Sequence, residues 1–121
     1  MKSISIRNPY ANMILCGEKP YEFRTWRTSY RGDLLICSSA SPKIKGMISG
    51  HALCVVSLND IIEVTNKNYR NFGLSREDIE DGKLYAWHLT NVRKIKPVPV
   101  KGKLNFYYID DGLIEIVNDE K

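Results

Sequence analysis

The sequence predicts an α+β fold, a small, mixed, partly closed β-barrel with short peripheral helices. Three observations lead there. Five or six apolar stretches of strand character are spread over 121 residues, and the helical patterns between them are short. The strands are not separated by the regular helices of about 10–15 residues that mark a doubly wound sheet. Apolar residues at 43% and charged residues at 26% are near globular averages, which argues against disorder or a collagen-like chain. The length leaves room for a single domain over residues 1–121, because a chain of this size buries about two thirds of its unfolded surface.

Residues 2–6 alternate polar and apolar, with Ile4 and Ile6 on one face, and predict a first strand. Asn8 and Pro9 then offer an N-cap and a first helical residue, Tyr10, Met13 and Ile14 repeat at helical spacing, and Gly17 supplies a left-handed stop. In a strand over residues 21–26, Tyr21, Phe23 and Thr25 face one way and Glu22, Arg24 and Trp26 the other. Residues 33–38, opened by Gly32, carry the near-continuous apolar run of a central strand. Residues 39–50 are loop-like, and residues 51–64 form a long strand with a bend or bulge near Asn59 and Asp60.

Residues 66–71 are a turn or one helical turn, and Ser75 with Asp78 resembles a capping box opening a short helix that ends before Gly82. Residues 84–95 predict another long strand, with Tyr85, Trp87 and Leu89 on one face and Ala86, His88 and Thr90 on the other, and Trp87 in the core. Pro97 and Pro99 turn the following residues into an extended edge or loop segment. Residues 106–109 and 113–117 predict two last strands around a turn at Asp110, Asp111 and Gly112, and residues 118–121 a frayed acidic tail.

The net charge of +4 conceals an uneven distribution. Residues 1–105 carry +8 and residues 106–121 carry −4. A basic body favours polyanionic partners, while its plain alternative is a soluble protein with a mildly high pI. Cys16, Cys37 and Cys54 are odd in number and far apart, which fits a reducing cytoplasm better than a disulfide framework. No apolar run approaches the roughly 20 residues that cross a bilayer, so no membrane partner is expected. Two histidines and three scattered cysteines lack zinc-ligand spacing, and no glycine-rich phosphate loop occurs, so neither metal nor cofactor is expected.

The densest polar cluster runs from Gly17 to Arg27. Lys19 leaves the helix end while Glu22, Arg24 and Trp26 share a strand face. A nucleotide suits that mixture, because cations hold phosphate, an indole stacks a base and a carboxylate accepts from an amine or a ribose hydroxyl. The plain alternative is a solvated strand face on which Glu22 pairs with Lys19 and Arg24 and Trp26 covers the barrel end. The spacing of Gly17, Lys19, Glu22 and Arg24 matches GxKxxExR, and residues 5–40 around it resemble the activating-signal-cointegrator homology (ASCH) domain. Residues 84–109 are similar to the family's closing strand and its Pro-rich, Lys-Gly-containing segment, in matching order.

That resemblance implies a barrel similar to the PUA (pseudouridine synthase and archaeosine transglycosylase) fold, with a cleft beside the motif that binds RNA. The candidate ligand residues are then Arg7, Lys19, Glu22, Arg24, Trp26 and Arg27, with Lys101 and Lys103 extending a track from Arg93. The resemblance also implies hydrolase alternatives. Similar small amidohydrolases deacetylate N4-acetylcytidine with a Lys and a Thr in this stretch, but Glu22 stands at the Thr position and lacks its hydroxyl. Ribonuclease activity, attributed to some ASCH-like proteins, would draw on Lys19, Tyr85 or His88, although a lone strand histidine also reads as a hydrogen-bonded structural residue; the enzymatic alternatives together draw on Lys19, Glu22, Tyr85 and His88. A protein-interaction module completes the alternatives, and the oligomeric state is left open.

Overall fold

Alternation over residues 2–6 becomes strand β1 (Lys2–Ile6), whose Ser3, Ile4 and Ile6 are buried in a computed structural model that describes residues 1–79 and 82–117. Helix α1 (Tyr10–Leu15) follows and buries Ala11 and Ile14. Its end is a Schellman motif: Gly17 at φ +79° donates its N–H to Ile14 O (3.0 Å), and Glu18 N–H reaches Met13 O (2.8 Å). Its start departs from expectation. Pro9, not Asn8, occupies the cap position. Asn8 is drawn inward instead, accepting Asn12 N–H at 3.2 Å while its amide donates to Ile48 O at 2.9 Å. The side chain thus ties the helix to the loop near residue 48.

The remaining strands are β2 (Tyr21–Arg24), β3 (Gly32–Ser38), β4 (His51–Glu63), β5 (Tyr85–Pro99) and β6 (Tyr107–Tyr108). Among the described residues they form one sheet in the order β2-β5-β4-β3-β1-β6. β1 and β3 run parallel, and every other pair is antiparallel. The β4–β5 register shifts three times, once between Leu58 and Asp60 where a bulge was expected. Such shifts bend long strands and let a small sheet curl.

Four boundaries differ from the sequence reading. β2 stops at Arg24, so Trp26 leaves the strand and packs edge-on against Trp87 (4.8 Å) and Phe106 (5.2 Å). β5 continues through Pro99 because Pro97 falls in the register shift between Val98 and Lys94, where the ladder needs no donor, and Pro99 is its last residue. The segment from Ser75 starts as a 3₁₀ turn (Arg76–Ile79) with Asp78 accepting from the Ser75 N–H (2.7 Å) and hydroxyl (3.1 Å), and its expected end before Gly82 lies outside the described residues. Residues 113–117 are no strand; Asp111–Leu113 forms a 3₁₀ turn, and Ile116 makes one isolated bridge to Ile95. The expected frayed tail, residues 118–121, lies outside the described residues.

Among the described residues three apolar clusters hold the sheet: a smaller one gathers Tyr21, Phe23 and Phe72 around Val64, Tyr69 and Ala86, and two larger ones flank the central strands. One collects Ile4, Ile6, Ile14, Leu34, Ile36, Val56, Leu58 and the wholly buried Trp87, whose indole N–H donates to Trp26 O at 3.2 Å. The other collects Leu35, Cys37, Ala52, Val55, Ile95 and Tyr107. Period-two alternation sends neighbouring residues of β3 to opposite layers. The sheet does not close by backbone pairing, yet edge strand β2 returns toward β1: Arg24 Nη2 donates to Ser5 O at 2.9 Å. No helix among the described residues is long and apolar enough to cross a membrane.

Candidate functional site

The Schellman turn after α1 releases the chain at Glu18, and Pro20 O accepts Leu89 N–H at 2.8 Å, which fixes residues 18–20 over the start of β2. Lys19 is thereby held above β2. Its ammonium lies 4.7 Å from the Phe23 ring centre and 5.4 Å from that of Tyr10. Glu22 and Arg24, two apart on β2, face the same side, opposite Trp87 and Tyr85 of β5. Arg24 Nε stands 3.2 Å from Glu22 Oε2, and the Glu22 side chain is 12% exposed.

These groups converge on a cavity of about 540 Å³ lined by Arg7, Tyr10, Lys19, Glu22, Arg24 and Phe72, with Ser5, Phe23 and Leu74 between them. Three cations and one carboxylate share the space. Burial pushes the Glu22 carboxyl above the usual carboxylate range, opposed by the Arg24 and Lys19 charges. Burial also pulls the Lys19 ammonium below the usual lysine value, opposed by Glu22. Both groups are therefore displaced toward their neutral forms, in a partly desolvated setting where charge interactions strengthen. Arg24 serves the cavity and the β1–β2 seam at once.

The other sequence candidates are dispersed. Lys103 lines an adjoining groove of about 550 Å³ that shares Ser5, Arg7 and Arg24 with the main cavity, while Lys101 is exposed and lines neither. Arg27 lies over the Tyr85 ring at 5.7 Å and lines a separate hollow with Thr28 and Arg31. Tyr85 is buried there, and His88 stacks on Tyr21 at 4.9 Å on the opposite face of β5; neither lines the Lys19 cavity. Trp26 does not line it either. Arg93 is taken up by Asp33 (2.9 Å) and Ser57 (3.2 Å), and Lys96 by Glu115 (3.1 Å), so these two members of the basic stretch serve ion pairs.

Sequence reasoning missed Tyr10, Phe72 and Leu74 as cavity residues. Phe72 and Leu74 arrive from the 3₁₀ turn Tyr69–Phe72, which Gly73 ends at φ +73°. A signal existed: apolar residues flank a glycine in an otherwise polar stretch, which marks a loop that folds back onto the body.

No curated protein sequence matches the chain. Its structure is similar to the crystal structure of ASCH from Zymomonas mobilis, with a TM-score of 0.70 and 16% identity over 92% of this chain and 88% of that one. A variant of the same Zymomonas mobilis protein aligns at a TM-score of 0.69 and 16% identity, over 91% of this chain and 90% of that one. At such identity the likeness is one of fold. The ASCH domain family model matches residues 4–99, which include both the Lys19–Arg24 motif and the two long strands, so the chain belongs to the ASCH domain family.

Proposed function

We propose that the cleft beside β2 binds RNA or a nucleotide-like ligand. The convergence of Arg7, Lys19 and Arg24 on one cavity, with Lys103 on the groove that continues it, carries this reading. Three cations around one carboxylate leave the cavity positive, and an entering phosphate would favour the Lys19 ammonium that burial now disfavours. Glu22 supplies an acceptor for an amine, ring N–H or ribose hydroxyl. Membership of a family with a PUA-like barrel supports the same reading.

Fluorescence anisotropy with labelled single-stranded RNA across a salt series tests it. Affinity should fall linearly on a log–log plot, with a slope near −0.7 for each phosphate neutralised. Lys19→Ala should weaken binding and flatten that slope by about 0.7 while leaving the circular dichroism spectrum unchanged. Flat titrations with diverse RNAs at low salt would overturn the reading.

A further inference from the structure

The main cavity is the middle of a longer trough whose two ends differ in chemistry. Toward α1 it shares Tyr10, Lys19, Phe23 and Phe72 with a groove of about 320 Å³ that adds Tyr21 and Pro20. Toward residues 102–105 it shares Arg7 and Arg24 with the groove that holds Lys103. One end is aromatic; the other is cationic. Lys19 and Glu22 mark the junction.

Resting on the function proposed above, we infer that this trough takes one unstacked nucleoside phosphate in a fixed direction, base against the Phe23–Phe72 wall and phosphate at Arg7, Arg24 and Lys103. The wall is built for a flat apolar ligand. Phe72 stands edge-on to Tyr21 (5.0 Å, 81°) and to Phe23 (6.3 Å, 79°), so the three rings form a corner rather than a closed stack. Phe23 and Phe72 are half-buried, and Tyr10 is 49% exposed, which leaves ring surface on the trough. Lys19 lies over the Phe23 ring at 4.7 Å, which leaves the exposed surface of Phe72 and Tyr10 as the faces on which a base can stack.

Two of the three cations at this end, Arg7 and Lys103, are available to a phosphate. Among the described residues neither Arg7 nor Lys103 has an ion-pair partner, in contrast to Arg24 and Arg93. Direction follows from charge: Glu18 lines the aromatic groove and opposes a phosphate there, whereas the Lys103 groove has no carboxylate in its lining. A central cavity of about 540 Å³ falls within the range of about 300–1,000 Å³ that suits one small ligand. A base paired and stacked within a duplex presents no open face, so the recognised unit is an unpaired nucleotide of RNA or a free nucleotide.

Calorimetry with adenosine, ribose 5-phosphate, adenosine 5′-monophosphate and a short oligoadenylate tests the two ends separately. Adenosine 5′-monophosphate should bind more tightly than either fragment. Phe72→Leu should weaken the monophosphate about five- to 150-fold, the range for loss of one base stack, and leave ribose 5-phosphate unchanged. Phe72→Tyr, which keeps a ring, should retain binding and so separates lost stacking from lost folding. Lys103→Ala should weaken both phosphates but not adenosine. Tighter binding of the oligoadenylate, lost when the probe is abasic, identifies RNA as the source of the nucleotide; tighter binding of the monophosphate identifies a free nucleotide. Salt-dependent oligoadenylate binding that ignores Phe72→Leu would overturn the oriented trough and leave RNA binding standing. No binding of any probe would overturn both.

Discussion

Lys19 and Glu22 give the molecule opposite pH dependences in two separate ranges. Burial raises the Glu22 carboxyl above its unfolded value, so as pH rises past the ordinary carboxylate range the unfolded chain gives up this proton before the folded one. Stability should therefore fall with rising pH through that window and then level off. Lys19 behaves inversely: between its lowered value and that of an ordinary lysine, the folded chain has released a proton that the unfolded chain still holds. Stability should rise with pH there. Denaturant titrations across pH check both effects, with Glu22→Gln removing the first slope and Lys19→Met the second. At this scale Glu22 and Arg24 were legible because two-residue alternation along a strand fixes which side chains share a face, and Lys19 because the helix stop at Gly17 delivers it beside that strand. Trp26 was not. The strand ends at Arg24, and the indole instead meets Trp87 and Phe106, partners 61 and 80 positions away that no local pattern reveals.

Helix α1 is six residues long and cannot persist on intrinsic propensity, so its caps and its buried Ala11 and Ile14 decide its stability. Gly17→Ala places a Cβ at φ +79°, with no neighbour within 4 Å to clash; the cost is conformational. It should lower stability by about 1–2 kcal/mol, measured by thermal or chemical unfolding. Because the same turn delivers Lys19, ligand affinity should fall with it. This element was readable in advance, since Tyr10, Met13, Ile14 and Gly17 state its period and its stop. The C-terminal elements were less so. Leu113 and Ile116 look like strand residues, but they are 55% and 50% exposed, and among the described residues the segment meets the sheet through the isolated Ile95–Ile116 bridge. Apolar character signals burial better than it signals where a pairing partner stands. Likewise, Pro97 reads as a strand breaker until the β4–β5 register shift supplies a position that needs no N–H.

At the scale of the whole molecule, the class of fold and its partial closure were legible, whereas the contacts that produce the curl were not, because they depend on register shifts and on side chains that meet across the open edge. Residues 100–105 illustrate this. Gly102 lies so close to β1 that an added Cβ would stand 2.6 Å from Ser5 Oγ, with the next atoms at 3.5 Å and beyond. Gly102→Ala should cost about 1–3 kcal/mol by overpacking and displace Lys103 from its groove. In a Ser5→Ala background the same change meets only ordinary contacts, so part of the loss should return; a double-mutant cycle in urea measures the coupling. The Arg24 to Ser5 carbonyl bond has a broader consequence, since one guanidinium both fastens β2 to β1 and lines the cavity beside β2. An anion drawing on Arg24 shifts the equilibrium of the seam, and by reciprocity anything that loosens or tightens the seam changes anion affinity by the same factor. If the cleft binds an anion as proposed, the barrel's edge and that ligand share one thermodynamic cycle, and amide exchange at β1 should change when the ligand is added.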